Sequence, residues 1–148
     1  MSIKKLISHR GNLNGPNQDL ENSPNYIELS ISKGFDCEVD LWKVKDELFL
    51  GHDKPQYKID FDFIKSFQDF LWVHCKNFDA IDYLVDIDEG INYFWHENDK
   101  FTLTSKGFIW TYPDNIYALN SVIVNLGKNN NEIKNCHGVC SDFILTYR

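Results

Sequence analysis

Two histidines, one arginine and a spaced pair of carboxylates are the residues with the most chemistry in them. His9-Arg10-Gly11 comes first, Glu38-Val39-Asp40 follows, and Gly51-His52-Asp53 closes the stretch. Histidine titrates near neutrality, so a pair of them can take up and release protons in turn. Arginine presents a fixed fork that matches phosphate oxygens. Glu38 and Asp40 stand two apart and share one face if the segment is a strand. Two carboxylates facing an interior repel each other unless a cation or a proton lies between them. Oxygen pairs of this kind suit Mg²⁺, Ca²⁺ or Mn²⁺. Taken alone, His9-Arg10 also reads as an exposed polar turn, and Glu38 with Asp40 as a solvent-facing edge. The residues between them favour the interior: Cys37, Val39 and Leu41 make the apolar face that packs on helices, and the carboxylates then point the other way.

The elements that must hold these residues can be read from hydrophobic period and from turn residues. Residues 3–8 are a strand, and 12–21, rich in Asn, Gly and Pro, a loop. Ser23-Pro24 signals a helix start and Gly34 its stop, giving a helix over 24–33. Residues 35–42 alternate as a strand, and 42–50 form a hairpin turned at Lys45-Asp46-Glu47. A helix over 60–69, a strand over 70–75, a helix over 78–87 with Ile81, Leu84 and Val85 inward, and a strand over 91–95 complete a regular rhythm. That alternation implies a parallel sheet, open or closed into a barrel. The second half has strands at 108–111, 121–126 and 138–143, but no amphipathic helix between them. A full barrel of eight strands and eight helices takes about 250 residues, against 148 here. The expectation is a single α/β domain over residues 1–148: a compact TIM-like parallel barrel with several outer helices missing in its C-terminal half.

In order, the His-Arg-Gly turn, Glu21-Asn22, Glu38-x-Asp40 and Gly51-His52-Asp53 resemble the glycerophosphodiester phosphodiesterase family, within the phospholipase C-like phosphodiesterases. The likeness covers residues 6–53. It implies His9 and His52 as general acid and base, Arg10 as a phosphate contact, Glu38 and Asp40 as metal ligands, and Glu21 in a supporting role. Further on, Trp72-Val73-His74-Cys75-Lys76 stands where the family has Glu-x-Lys. Lys76 matches the phosphate-side cation, and His74 replaces the glutamate ligand. Gly138-Val139-Cys140-Ser141-Asp142 resembles the family's last strand. The resemblance implies metal-dependent hydrolysis of a glycerol- or sugar-linked phosphodiester by acid–base catalysis, with a place in lipid metabolism.

His74 leaves two versions of the site open. As a neutral third ligand it removes one negative charge, which weakens Mg²⁺ or Ca²⁺ and favours Mn²⁺ or Zn²⁺. Alternatively the metal site is gone, and His9, Arg10, His74 and Lys76 make an anion pocket in a non-catalytic phosphate-binding protein. A lyase forming a cyclic phosphate is a third reading. His96 joins either version, or is an edge residue satisfied by a hydrogen bond. Trp95, Trp110 and Tyr112 wall the pocket and stack on a sugar or glycerol, or are simply core.

Composition narrows the partners. The net charge of −7, without a basic block, argues against nucleic acid, which needs a cationic face. No segment approaches the roughly 20 apolar residues of a membrane helix, and the N-terminal apolar run is too short for a signal peptide. The four cysteines form no CxxC pair, and Cys37 and Cys75, within predicted strands beside polar residues, suit small buried thiols in a reducing cytoplasm. Cys136-His137 with Cys140 is a weaker metal-ligand candidate. Missing outer helices would expose apolar strand surface, so a homodimer covering it is expected.

Overall fold

The computed structural model describes residues 3–148. The strands are β1 (Lys5–His9), β2 (Asp36–Val44), β3 (Glu47–Leu50), β4 (Tyr57–Ile59), β5 (Leu71–Cys75), β6 (Tyr93–Trp95), β7 (Phe101–Leu103), β8 (Ile109–Thr111), β9 (Ser121–Val124) and β10 (Gly138–Ser141). Three α-helices accompany them, α1 (Pro24–Ser32), α2 (Phe61–Ser66) and α3 (Phe78–Ile87), and a 3-10 helix follows β10 at Ile144–Tyr147.

All these strands belong to one curled sheet. β1 lies between β2 and β10, parallel to both; β2 continues in parallel to β5 and β6, and β10 to β9 and β8. β3 runs antiparallel on the end of β2, β4 antiparallel on β3, and β7 antiparallel on β8. This corrects the expected TIM-like parallel barrel. The fold is a mixed, curled half-barrel made mostly of strands, with few helices. The reason is local. The β2–β3, β3–β4 and β7–β8 connections are hairpins, which reverse strand direction where a crossover helix would preserve it, and after α3 the remaining connections are loops without an α-helix. The β7–β8 turn closes through Gly107 N–H donating to the Thr104 carbonyl at 2.9 Å. The later connections carry Pro113, Asn115, Gly127 and three consecutive asparagines from Asn129, which are poor helix formers.

The sheet's outer face is covered in two ways. In the first half, Cys37, Val39 and Leu41 of β2 and Leu71, Val73 and Cys75 of β5 bury against Ile27, Ile64, Ala80 and Leu84 of the helices. α3 is tied to β2 through its cap: Asn77 Oδ1 accepts from Ala80 N–H and from Lys43 N–H, each at 3.1 Å, while its Nδ2 donates to the Lys43 carbonyl at 2.7 Å. Val85, expected inward, is 56% exposed, and Ala80 shares the buried face with Leu84 instead. In the second half no α-helix among the described residues does this. Residues 125–137 and the 3-10 helix fold back over β9 and β10, where Cys136, Ile133 and Tyr147 pack on Ile123 and Val139. All four cysteines are buried and free.

The inner face is a column of Ile7, Trp72, Phe94, Trp110, Val122, Val124 and Cys140. Phe94 and Trp110 stack with ring centroids 4.7 Å apart. Trp95 alternates to the outer face and packs beside the helices, so it does not wall the interior.

Candidate functional site

Strand alternation builds the site directly on this column. Two residues beyond an inner apolar residue, and therefore on the same face, each of several strands carries a polar or aromatic group. The pairs are Ile7 and His9, Trp72 and His74, Phe94 and His96, Trp110 and Tyr112, Cys140 and Asp142. β2 contributes Glu38 and Asp40, beside His9 and His74 respectively in the strand register. A cavity of about 450 Å³ opens above the column, and His9, Arg10, Glu38, His52, His74 and Lys76 line it together with Trp110. Asp40 lies just behind them, fully buried.

His52 arrives differently, on a tight connection. Gly51 N–H donates to the Asp40 carbonyl at 3.1 Å, and its own carbonyl accepts from Trp42 Nε1 at 2.7 Å. A Cβ on residue 51 would fall 2.1 Å from the Lys54 carbonyl oxygen, so only glycine permits this fold-back. His52 Nδ1 then meets Asp53 Oδ1 at 2.7 Å.

The carboxylates are held in a graded way. Asp40 Oδ2 accepts from Asn22 Nδ2 at 2.9 Å and lies 3.1 Å from Arg10 Nε, while its backbone N–H donates to Asn22 Oδ1 at 2.9 Å. Its Oδ1 faces His74 Nδ1 at 3.1 Å and Lys76 Nζ at 4.0 Å, without an aligned hydrogen bond. Burial alone would raise the Asp40 pKa, but His74, Arg10 and Asn22 hold it well below the usual carboxylate range. Glu38 is the reverse case. Burial, and then the neighbouring Asp40 charge, push it up to about 7. Its Oε2 is buried with no hydrogen-bond partner, 3.8 Å from His9 Nε2.

His9 is oriented from behind. Its Nδ1 donates to Asp142 Oδ1 at 2.7 Å, and Asn12 Nδ2 donates to the same oxygen at 2.8 Å. Burial works to lower the His9 pKa, but the Asp142 hydrogen bond and the Glu38 charge outweigh it and raise the pKa above the ordinary 6.5. His52 moves the other way: burial, then the Arg10 charge, lowers it below 6.5. His96 stacks on Tyr112 with centroids 3.6 Å apart and also lines the cavity.

Glu38, Asp40 and His74 each offer a ligand atom, and these atoms lie within 4.8 Å of one another. Among the described residues this is the one group of three or more His, Cys, Asp or Glu side chains that converges so closely. The donor set fits a divalent ion. Two buried oxygens, Glu38 Oε2 and Asp40 Oδ1, lack hydrogen-bond partners, and buried anionic oxygens need a cation or a proton. His74 Nε2 lies 3.4 Å from the His96 carbonyl, a contact that directs Nδ1 toward both carboxylates. The Cys136-His137-Cys140 candidate does not assemble: Cys136 is in the outer cluster, Cys140 in the inner column, and His137 packs on Phe108.

Sequence reasoning assigned no role to Asp142, Asn22 or Asn12. The signal for Asp142 was present, since it follows Cys140 by two residues on the inner face. Asn22 gave none: its grip on Asp40 depends on a backbone φ of +65° in the β1–α1 loop. Comparison with protein-family models, curated proteins and solved structures finds no match to this chain.

Proposed function

We propose that the protein is a metal-dependent phosphodiester hydrolase acting on a glycerol- or sugar-linked phosphodiester. One observation carries the reading: a convergent Glu38–Asp40–His74 cluster shares a cavity with two histidines displaced oppositely in pKa and with Arg10 and Lys76. Glu38, Asp40 and His74 would hold a divalent ion, which when bound would supply Lewis-acid stabilisation of the phosphoryl group. Arg10 and Lys76 add positive charge at the phosphate oxygens. His52, with its Nδ1 2.7 Å from the Asp53 carboxylate, takes a proton from the attacking water. His9, held protonated by Asp142, donates from Nε2 to the departing alcohol oxygen. Asp142 and Asn12 position His9 and do not touch the substrate.

Of Mg²⁺, Ca²⁺, Mn²⁺ and Zn²⁺, the imidazole ligand favours Mn²⁺ or Zn²⁺. Purified protein incubated with a chromogenic phosphodiester, with each metal in turn and with chelator, tests the reading. Metal-restored turnover is expected, and no turnover with any of the four contradicts it. Phosphate binding without turnover would make the cavity an anion site, as the gathering of Arg10, His74 and Lys76 around Asp40 would allow. The proposal includes the expected homodimer, although residues 125–137 and the 3-10 helix already cover β9 and β10; sedimentation as a monomer contradicts that part. No helix among the described residues is long and apolar enough to cross a membrane.

A further inference from the structure

A second cavity, of about 320 Å³, adjoins the first, and Arg10 and His52 line both. The two differ in chemistry. The second is lined only by polar residues, with Gln18 and Asp19 from the β1–α1 loop and Asp53, Lys54 and Gln56 from the β3–β4 connection. The loops are linked: Tyr57 Oη–H donates to the Asp19 carbonyl at 3.2 Å, and Gln56 Nε2 donates to the Tyr57 oxygen at 3.2 Å. The first cavity has Phe94, Trp110, Tyr112, Pro113, Val124 and Leu126 among its walls.

We infer that the substrate is an asymmetric diester: a sugar-sized polyhydroxy alcohol occupies the polar cavity, and an apolar or aromatic alcohol lies against the Tyr112–Leu126 side. The phosphate then sits where the cavities meet, at Arg10 and His52. This rests on the phosphodiester reading above. Hydroxyls that leave water need partners, and amide and carboxylate side chains supply both donors and acceptors. A hydrocarbon arm placed among them would leave those groups unpaired. The polar groups come from two separate loops, so an alcohol must span both to use them, which a sugar ring does and the two free hydroxyls of a glycerol arm do only in part. Gln18 and Gln56 are exposed, so their replacement alters the cavity without opening the core.

The test compares kcat/KM for glucosyl 4-nitrophenyl phosphate with that for methyl 4-nitrophenyl phosphate, in the wild type and in Gln18→Ala/Gln56→Ala. The glucosyl diester is expected to be preferred, and the preference to fall about tenfold in the variant, mainly through KM. A parallel calorimetric titration compares glucose 1-phosphate with inorganic phosphate and needs no turnover. Tighter binding of the sugar phosphate, lost in the variant, is the expected result. Turnover without a glucosyl preference overturns the inference and leaves the hydrolase reading standing. No turnover, but selective sugar-phosphate binding lost in the variant, overturns the hydrolase and supports the sugar cavity. Equal affinity for the two phosphates overturns the inference.

Discussion

His9 and His52 are displaced in opposite directions from the ordinary histidine pKa of 6.5, and their neighbours explain why. In the proposed mechanism these opposite shifts suit His9 to act as the acid and His52 as the base. The pH profile should be a bell. Activity rises as His52 loses its proton below pH 6.5 and falls as His9 loses its own above pH 6.5. Asp142→Asn removes the charge that raises His9, so the alkaline limb should move to lower pH; an unmoved limb contradicts the positioning role. Glu38 makes a separate prediction about stability. Its pKa rises from 4.5 to about 7 on folding, so between those values the folded state holds a proton that the unfolded state has released. Stability from this group therefore falls as pH rises through that window. Without metal, wild type should lose more melting temperature from pH 4.5 to 7 than Glu38→Gln does. At this scale the sequence was informative where a side chain's direction follows from strand alternation, as for His9, Glu38, Asp40 and His74. It was silent where direction depends on a loop dihedral, as for Asn22.

Elements place these residues through alternation, caps and one tight connection. α3 shows how helical period can mislead by a single position. Leu84 is buried and Val85 largely exposed, because the helix presents the line through Ala80 and Leu84 to β2 and β5. Leu84→Ala should cost about 2–5 kcal/mol, whereas Val85→Ala should change stability by no more than about 0.5 kcal/mol; chemical denaturation separates the two. The β3–β4 connection is less forgiving. Gly51→Ala forces a methyl against the Lys54 carbonyl and should cost about 1–3 kcal/mol while displacing His52, so activity should fall with stability. An unchanged kcat would count against the catalytic role proposed for His52. Longer elements such as β2 and α3 were legible because several residues repeat their period. β4 and β7, three residues each, are too short to show one.

Across the whole molecule the sheet's outer face is covered by helices in the first half and by folded-back chain in the second. Its parallel core from β6 through β1 to β8 keeps the strand ends together at one rim, and the absence of an amphipathic helix after α3 was readable from the irregular sequence there. The hairpins that make the sheet mixed were only partly readable, since strand direction is set by pairing partners distant in the chain. At that rim the ends of β1, β2, β5 and β10 bring His9, Glu38, Asp40, His74 and Asp142 together. If that rim is a catalytic centre, both histidines must matter and the metal cluster must matter with them. The most direct measurement is turnover of a chromogenic phosphodiester in Mn²⁺ by wild type and by His9→Ala/His52→Ala. The account predicts metal-dependent turnover in the wild type and a loss of at least about 10²–10⁴-fold in the double variant. Turnover that survives in the double variant, or that persists in chelator, would contradict it.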